Sequence, residues 1–173
     1  MLDLVIKAQK GNDKAFLRLF QKYEQDIYRI ALVYVRNQSD ALDVVQETAY
    51  RSFKSIKNLN EPKYFKTWLI RIAISCSIDL LRKKKKLVFL EPELEENLSD
   101  NINEDIDFEM TIRDLIERLN EDEKSVVILR FYEGLTLKEI SKTLGIPLGT
   151  AKTVLYRALA KLRKNLKGDD FYE

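Results

Sequence analysis

The segment that most constrains the fold lies between Thr136 and Leu166, where the chain reads TLKEISKTLGIPLGTAKTVLYRALAKLRKNL. Thr136 and Glu139 have the S/T-x-x-E spacing of a capping box, which predicts the start of a helix. Gly145 can take the left-handed conformation that ends a helix and reverses the chain. Pro147 suits the first turn of a new helix. The segment therefore predicts two short helices joined by a tight turn.

The second of these helices separates apolar from basic side chains. Its predicted buried face consists of Ala151, Leu155, Ala158 and Leu162, which recur at helical spacing. Its opposite face consists of Lys152, Thr153, Tyr156, Arg157 and, one turn further on, Lys161. Residues 137 to 167 include eight basic residues and one acidic residue, a net charge of 8 − 1 = +7. This layout predicts a helix-turn-helix that reads DNA with its second helix; a helical hairpin with a solvated basic face is the alternative.

Charge is unevenly distributed along the 173 residues. Residues 1 to 90 contain 18 basic and 9 acidic side chains (+9), and residues 111 to 173 contain 12 and 10 (+2). Residues 91 to 110 contain nine acidic side chains and no basic one (−9). The pattern predicts two blocks compatible with nucleic acid, joined by an acidic flexible linker.

Composition argues against an enzyme. Histidine is absent and Cys76 is the only cysteine, so the chain lacks the commonest general base and zinc ligands and cannot form an intramolecular disulfide. No P-loop or dinucleotide-binding motif occurs. We therefore expect no cofactor and no metal. Without a signal peptide or a long apolar run, the chain is expected to be a soluble cytoplasmic protein.

The N-terminal block has helical periodicity throughout, which predicts an all-α bundle. Four helices are expected: Leu2 to Gln9, a long helix from Asn12 or Asp13 to about Arg36, a third from Asp40 to about Ile56 with Ser39 as its cap, and a fourth from Asn60 to the lysines at 83 to 86.

The fourth helix combines an apolar stripe with basic and aromatic residues. The predicted stripe is Leu69, Ile72, Cys76 and Leu80. Lys63, Lys66 and Arg71 alternate with aromatic residues, a pattern that suits single-stranded nucleic acid because bases stack on rings and cations hold phosphates. Trp68 fits either this role or a place in the core. In the third helix, Asp40 and Asp43 are consistent with a purely structural interaction with the helix dipole.

Three motifs resemble those of bacterial RNA polymerase sigma factors of the extracytoplasmic function (ECF) group. Asp40 to Tyr50 resembles the pattern D-A-x-D-x-V-Q-E-T-F, and Phe65 to Arg82 resembles F-x-x-W-L-x-R-I-A-x-N-x-x-x-D-x-L-R. Leu119 to Ala158 resembles the family's helix-turn-helix pattern, including L-G-I-P-x-G-T-V-K. Because the three motifs occur in order over nearly the whole chain, the resemblance is specific.

The resemblance implies an all-α fold of two helical domains. Residues 1–86 would be the sigma-2 helical bundle, 87–110 the acidic flexible linker and 111–173 the sigma-4 domain with its helix-turn-helix. The implied partners are core RNA polymerase, through its β′ clamp and β flap, and promoter DNA. An anti-sigma factor, which in this family is often membrane-anchored, is a further implied partner, and the free protein would be a monomer without enzymatic activity.

The resemblance also implies roles for individual residues. Docking on the β′ clamp would involve Asp40, Asp43, Gln46 and Glu47. Contact with the melted minus-10 element would involve Lys63, Lys66, Trp68, Arg71 and Ser75. Reading of the minus-35 element would involve Lys152, Thr153, Tyr156, Arg157 and Lys161. The chain departs from the family pattern at Ser75, where asparagine is usual, at Ser141, where alanine is usual, and at Val154 and Leu159, where arginine is common.

Two other functions remain open at this point. A stand-alone helix-turn-helix regulator would dimerise on paired half-sites, whereas a sigma factor would not. A nucleic-acid-processing enzyme would need a carboxylate metal site, for which Asp40 and Asp43 are the only suggestive pair.

Overall fold

The computed structural model describes residues 1–90, 116 and 118–169. Within these residues all regular structure is helical, and the chain divides into two compact units, Met1–Ile102 and Asn103–Glu173. The predicted all-α fold with two helical domains is confirmed. The predicted acidic linker lies, from residue 91 onward, outside the described residues. No helix in the described ranges is long and apolar enough to cross a membrane.

The first unit is a four-helix arrangement. Its helices are α1 (Leu2–Gln9), α2 (Asp13–Val35), α3 (Gln38–Ser55) and α4 (Phe65–Leu90), with short 3-10 turns at Ile56–Asn58 and Pro62–Tyr64. Helix α2 packs against the other three helices, and α3 also packs against α4. The core between them is aromatic and aliphatic and includes Phe16, Leu19, Phe20, Ile27, Phe65 and Leu69.

Two predicted helix starts in this unit are wrong. Asn37, not Ser39, caps α3, because its Oδ1 accepts from the Asp40 N–H at 2.8 Å while its Nδ2 donates to Asp40 Oδ2 at 2.7 Å. Asn60 does not cap α4 either, since a 3-10 turn that begins at Pro62 precedes the helix and has no side-chain cap. The cap predicted for α2 is correct at Asn12, which accepts from the Ala15 N–H at 2.9 Å.

The buried stripe of α4 also differs from the prediction. Leu69 and Cys76 are buried as expected, but Ile72 and Leu80 are only half-buried. Because α4 packs against both α2 and α3, its buried surface is wider than a single stripe. The additional buried positions are Phe65, Ile70, Ala73, Ile74 and Ser77.

The second unit contains α5 (Glu121–Val127), a π turn (Ile128–Tyr132), α6 (Leu137–Leu144) and α7 (Leu148–Asp169). The predicted capping box of α6 is present: the Thr136 N–H donates to Glu139 Oε2 at 2.8 Å, and the Glu139 N–H donates to Thr136 Oγ1 at 3.3 Å. Gly145 ends α6 in the left-handed conformation with φ of 68°. The predicted helix-turn-helix is therefore confirmed.

Ser141 holds the turn of this motif. Its hydroxyl donates to the Ile146 carbonyl at 2.6 Å, and the Ile146 N–H donates back to the Ser141 carbonyl at 3.1 Å. Both bonds cross the turn, so the serine that replaces the usual alanine has a local structural role.

Candidate nucleic-acid interface

The polar face of α7 is the first candidate surface. All five residues predicted to read DNA are exposed on it: Lys152, Thr153, Tyr156, Arg157 and Lys161. The opposite face is anchored in the unit, since Ala151, Leu155 and Ala158 are buried and Leu162 is half-buried. The turn at Gly145 and this buried face together present the first turns of α7 outward, as a recognition helix requires.

Two side chains on this face interact with their own helix. The Lys152 ammonium lies 5.9 Å from the centre of the Tyr156 ring, a cation-π distance. The Thr153 hydroxyl donates to the Gly149 carbonyl at 2.9 Å, so its oxygen remains available as an acceptor only. In this conformation Thr153 can accept a hydrogen bond from a binding partner but cannot donate one.

Lys161 is paired within the unit. Its Nζ lies 2.8 Å from Oε2 of Glu123, which is 1% exposed in α5. Sequence reasoning missed Glu123, although Asn120 and Glu123 have capping-box spacing. The structure shows that capping box with both of its hydrogen bonds. This local pattern does not predict the ion pair between Glu123 and Lys161 of α7, because the two residues are 38 positions apart.

The predicted nucleic-acid residues of α4 fall into two groups. Lys63, Arg71 and Ser75 are exposed, whereas Lys66 and Trp68 are half-buried. Trp68 packs against the core with its ring centre 5.8 Å from that of Phe65. The structure therefore places Trp68 at the edge of the core, with only part of its ring available for a base.

The loop that precedes α4 is fixed by a residue that sequence reasoning missed. Gln9, the last residue of α1, donates through its Nε2 to the Ile56 carbonyl at 3.2 Å and to the Leu59 carbonyl at 2.7 Å. Both hydrogens of one amide are thus used on one loop. No local signal marks Gln9, because its partners are about fifty residues away.

The four residues predicted to dock on polymerase do not share one environment. Asp43, Gln46 and Glu47 are exposed on α3. Asp40 is buried, and its Oδ2 lies 2.6 Å from Lys84 Nζ in α4. Asp40 therefore ties the start of α3 to α4, a contact that its position in the first turn of α3 did not predict.

Other exposed groups extend this surface of α3. Leu42 and Tyr50 are 53% and 54% exposed, and the prediction omitted both of these side chains, one aliphatic and one aromatic. Glu47 pairs with Arg51 at 2.6 Å, and Arg51 also pairs with Asp79 of α4 at 2.7 Å. Hydrogen bonds to the two carboxylates raise the pKa of the Arg51 guanidinium further above its already high value.

Comparison with known proteins supports two separate functional units. A family model for sigma-70 region 2 matches residues 19–87, and one for sigma-70 region 4 matches residues 115–164. The RNA polymerase sigma factor SigV of Bacillus subtilis is 38% identical over 163 residues, which cover 94% of this chain and 98% of that protein. The ECF sigma factor SigW of Bacillus subtilis is 31% identical and is covered to 94%. This chain belongs to the ECF sigma factors.

Two solved structures have a similar fold. CnrH, solved in complex with the cytosolic domain of CnrY, matches the sigma factor with a TM-score of 0.72 over 97% of both chains at 23% identity. The sigma factor RpoE of Bartonella quintana, solved with the anti-sigma factor NepR, matches with a TM-score of 0.75 over 89% of this chain and 98% of its own, at 19% identity.

Membership of the family settles the class of function. A sigma factor directs transcription initiation by RNA polymerase and is not an enzyme. In the described part of the chain, no three His, Cys, Asp or Glu residues are grouped to hold a metal ion. The Asp40 carboxylate of the suspected metal pair is instead bound by Lys84 and Asn37.

Proposed function

We propose that this sigma factor is a dissociable promoter-specificity subunit that docks on core RNA polymerase and holds two promoter elements. The observation that carries the proposal is the helix-turn-helix of the second unit, in which α7 is anchored by one face and exposes five polar and basic residues on the other. We assign residues 1–86 to the sigma-2 domain, 87–110 to an acidic linker whose first four residues continue α4, and 111–173 to the sigma-4 domain.

The minus-35 element is assigned to the polar face of α7. Arg157 and Lys152 supply the donors that recognise guanine edges or phosphates, and Tyr156 adds apolar contact. Val154 and Leu159 stand where arginine is common in the family, so fewer cations are available for phosphates. Both side chains are half-buried. The reading of this element therefore depends on few residues.

The minus-10 element is assigned to the exposed side of α4 and the loop before it. Lys63, Arg71 and Ser75 are exposed along this side, with Lys66 and Trp68 at its edge. Tyr64 is 48% exposed beside Lys63, with the ammonium 5.0 Å from its ring centre. A ring with adjacent cations suits an unpaired base and its phosphates.

Docking on the β′ clamp is assigned to the exposed surface of α3. Asp43, Gln46 and Glu47 form its polar part, and Asp40 contributes at its buried end, where it also holds Lys84.

We further propose that the sigma-4 domain contacts the β flap of polymerase. The free protein is proposed to be a monomer and to act in the cytoplasm.

Control by an anti-sigma factor is part of the proposal. The structurally similar CnrH and RpoE were solved with the cytosolic domain of CnrY and with NepR, respectively. A comparable inhibitor, whether free or membrane-anchored, would act by covering the polymerase-docking or DNA-reading surfaces.

The test of minus-35 reading uses Arg157→Ala with reconstituted polymerase. We expect transcription from a promoter with an intact minus-35 element to fall about tenfold, because one good base-edge contact is lost. Lys164→Ala is the matched control, since Lys164 is exposed on the same helix two turns later. Equal transcription by wild type and Arg157→Ala would refute this role of α7.

The test of docking uses the double variant Asp43→Ala and Gln46→Ala. Both side chains are exposed, so we expect a weaker affinity for core polymerase with unchanged thermal stability. Asp40→Asn is the comparison, because loss of its buried pair with Lys84 should lower thermal stability. Normal core affinity in the double variant would contradict the assignment of α3.

A further inference from the structure

The carboxylate of Glu123 is an unusual group for the interior of the second unit. It is 1% exposed, and the following α5 residues Val126 and Val127 are also buried. Its Oε2 accepts from Lys161 Nζ at 2.8 Å and from the Asn120 N–H at 3.1 Å. Its Oε1 is buried without a hydrogen-bond partner among the described residues.

Stability alone does not account for this arrangement. A buried acceptor without a partner costs about 1 to 3 kcal/mol. Replacement of a buried ion pair by apolar residues of similar volume is often neutral or stabilising, whereas such pairs can fix one geometry among several. These properties suit a residue that orients its partner side chain. They are less suited to a residue that only adds stability to the core.

The partner of Glu123 lies on the helix proposed to read DNA. Lys161 is one helical turn after Arg157, and α5 packs directly against α7. Burial opposes ionisation of Glu123, but hydrogen bonds from Lys161 and Asn120, with the charges of Lys161 and Arg157, outweigh it and hold its pKa below the ordinary value. The carboxylate is thus ionised at neutral pH and acts on both cations.

We infer that Glu123 is a positioning residue for minus-35 recognition: through its ion pair with Lys161 it fixes the rotation of α7 and the way that helix presents Arg157. This inference rests on the proposed function of α7. Lys161 is 44% exposed and has three N–H donors. It can therefore hold Glu123 with one donor and offer another to a phosphate.

The inference predicts a loss of discrimination and not of affinity in general. The full chain with core polymerase is bound to two promoter duplexes, one with an intact and one with a scrambled minus-35 element. For Glu123→Gln we expect the ratio of the two affinities to fall about tenfold, the size of one lost base contact. Affinity for the scrambled duplex should stay equal or rise, because a negative charge beside the basic face is removed.

A double-variant cycle tests whether Glu123 acts through Lys161. Lys161→Met leaves the capping box of α5 intact and should also lower the ratio of the affinities for the intact and scrambled duplexes. In the Lys161→Met background, Glu123→Gln should lower it no further. An equal additional loss in that background would overturn the inference, because Glu123 would then act by another route.

Asn120→Ala is the control for helix capping. It removes the side-chain cap of α5 but keeps the Glu123 and Lys161 pair, so stability should fall while the affinity ratio stays unchanged.

An affinity ratio unchanged in Glu123→Gln, or affinities that fall in parallel for both duplexes, would overturn the inference. If Glu123→Gln does not fold by circular dichroism, an unchanged ratio in Lys161→Met overturns it. Absence of discrimination by the wild type would instead contradict the proposed function.

Discussion

Gly145 and Gly149 lie four residues apart but have different backbone conformations, left-handed at Gly145 and helical at Gly149. Gly145 ends α6 with φ of 68°, where a side chain is strained, whereas Gly149 lies in the first turn of α7 with no atom within 4 Å of an added Cβ. We expect Gly145→Ala to lower the free energy of unfolding of the second unit by about 1 kcal/mol. Gly149→Ala should raise it by about 0.5 kcal/mol, because alanine favours the helix.

Far-UV circular dichroism during urea denaturation measures both changes. Trp68 is the only tryptophan and lies in the first unit, so its fluorescence serves as an internal reference that neither substitution should move. A Gly145→Ala variant as stable as wild type would contradict the left-handed cap.

The ionisation of Glu123 makes the second unit sensitive to acid. Its pKa in the folded chain lies below the ordinary 4.5, so the unfolded chain binds the proton more readily. The stabilisation is therefore complete above about pH 4.5 and is lost as the pH falls through the lower, folded-state pKa. Wild type should exceed Glu123→Gln in stability at pH 7, and the difference should shrink below pH 4.5.

Urea titrations of both proteins between pH 7 and pH 3 measure this difference. The comparison with Glu123→Gln is needed because the pKa of Glu139, lowered by hydrogen bonds from Thr136, adds its own acid sensitivity. A constant difference across this range would show that the charge of Glu123 does not stabilise the unit.

At the scale of elements, the short helix α1 holds the loop before α4 through its last residue. Gln9 donates to the carbonyls of Ile56 and Leu59, and Gln9→Leu would leave both without this donor. We expect a small loss of stability of the first unit, about 1 kcal/mol per hydrogen bond. Promoter opening at the minus-10 element should fall more severely, since the loop that we propose to receive unpaired bases loses its fixed shape.

Trp68 fluorescence during denaturation and permanganate reactivity of unpaired thymines measure the two effects. Gln21→Leu, on the exposed side of α2, is a matched control because it makes the same substitution away from the loop. Normal promoter opening in Gln9→Leu would show that the loop keeps its shape without α1.

The elements also show which features the sequence reveals. The capping box of α6 and the turn at Gly145 were predictable because both depend on residues within a few positions of each other. The pairs of Asp40 with Lys84 and of Glu123 with Lys161 join residues 44 and 38 positions apart. No local pattern encodes such pairs, so the burial of both carboxylates emerged only from packing.

At the scale of the whole molecule, the proposed function gives the chain two short DNA-reading surfaces, each of which we expect to bind weakly alone. A single good base contact discriminates by about 1 to 3 kcal/mol, and the exposed side of α7 has few such donors. If polymerase holds both units at promoter spacing, the second contact becomes intramolecular and overall affinity rises by about 10²- to 10⁴-fold. We therefore expect weak promoter binding by the free chain and strong binding with core enzyme.

Fluorescence anisotropy with a labelled promoter, between 50 and 200 mM salt, measures both states. Binding with core enzyme should weaken steeply with salt, because cations that contact phosphates release counterions. Arg157→Ala in the same complex should lower the salt slope by about one if that side chain contacts phosphate, and leave it unchanged if it contacts a base edge. A free chain that binds the promoter as tightly as its complex with polymerase would instead identify a self-sufficient regulator, because spacing by the enzyme would then contribute nothing.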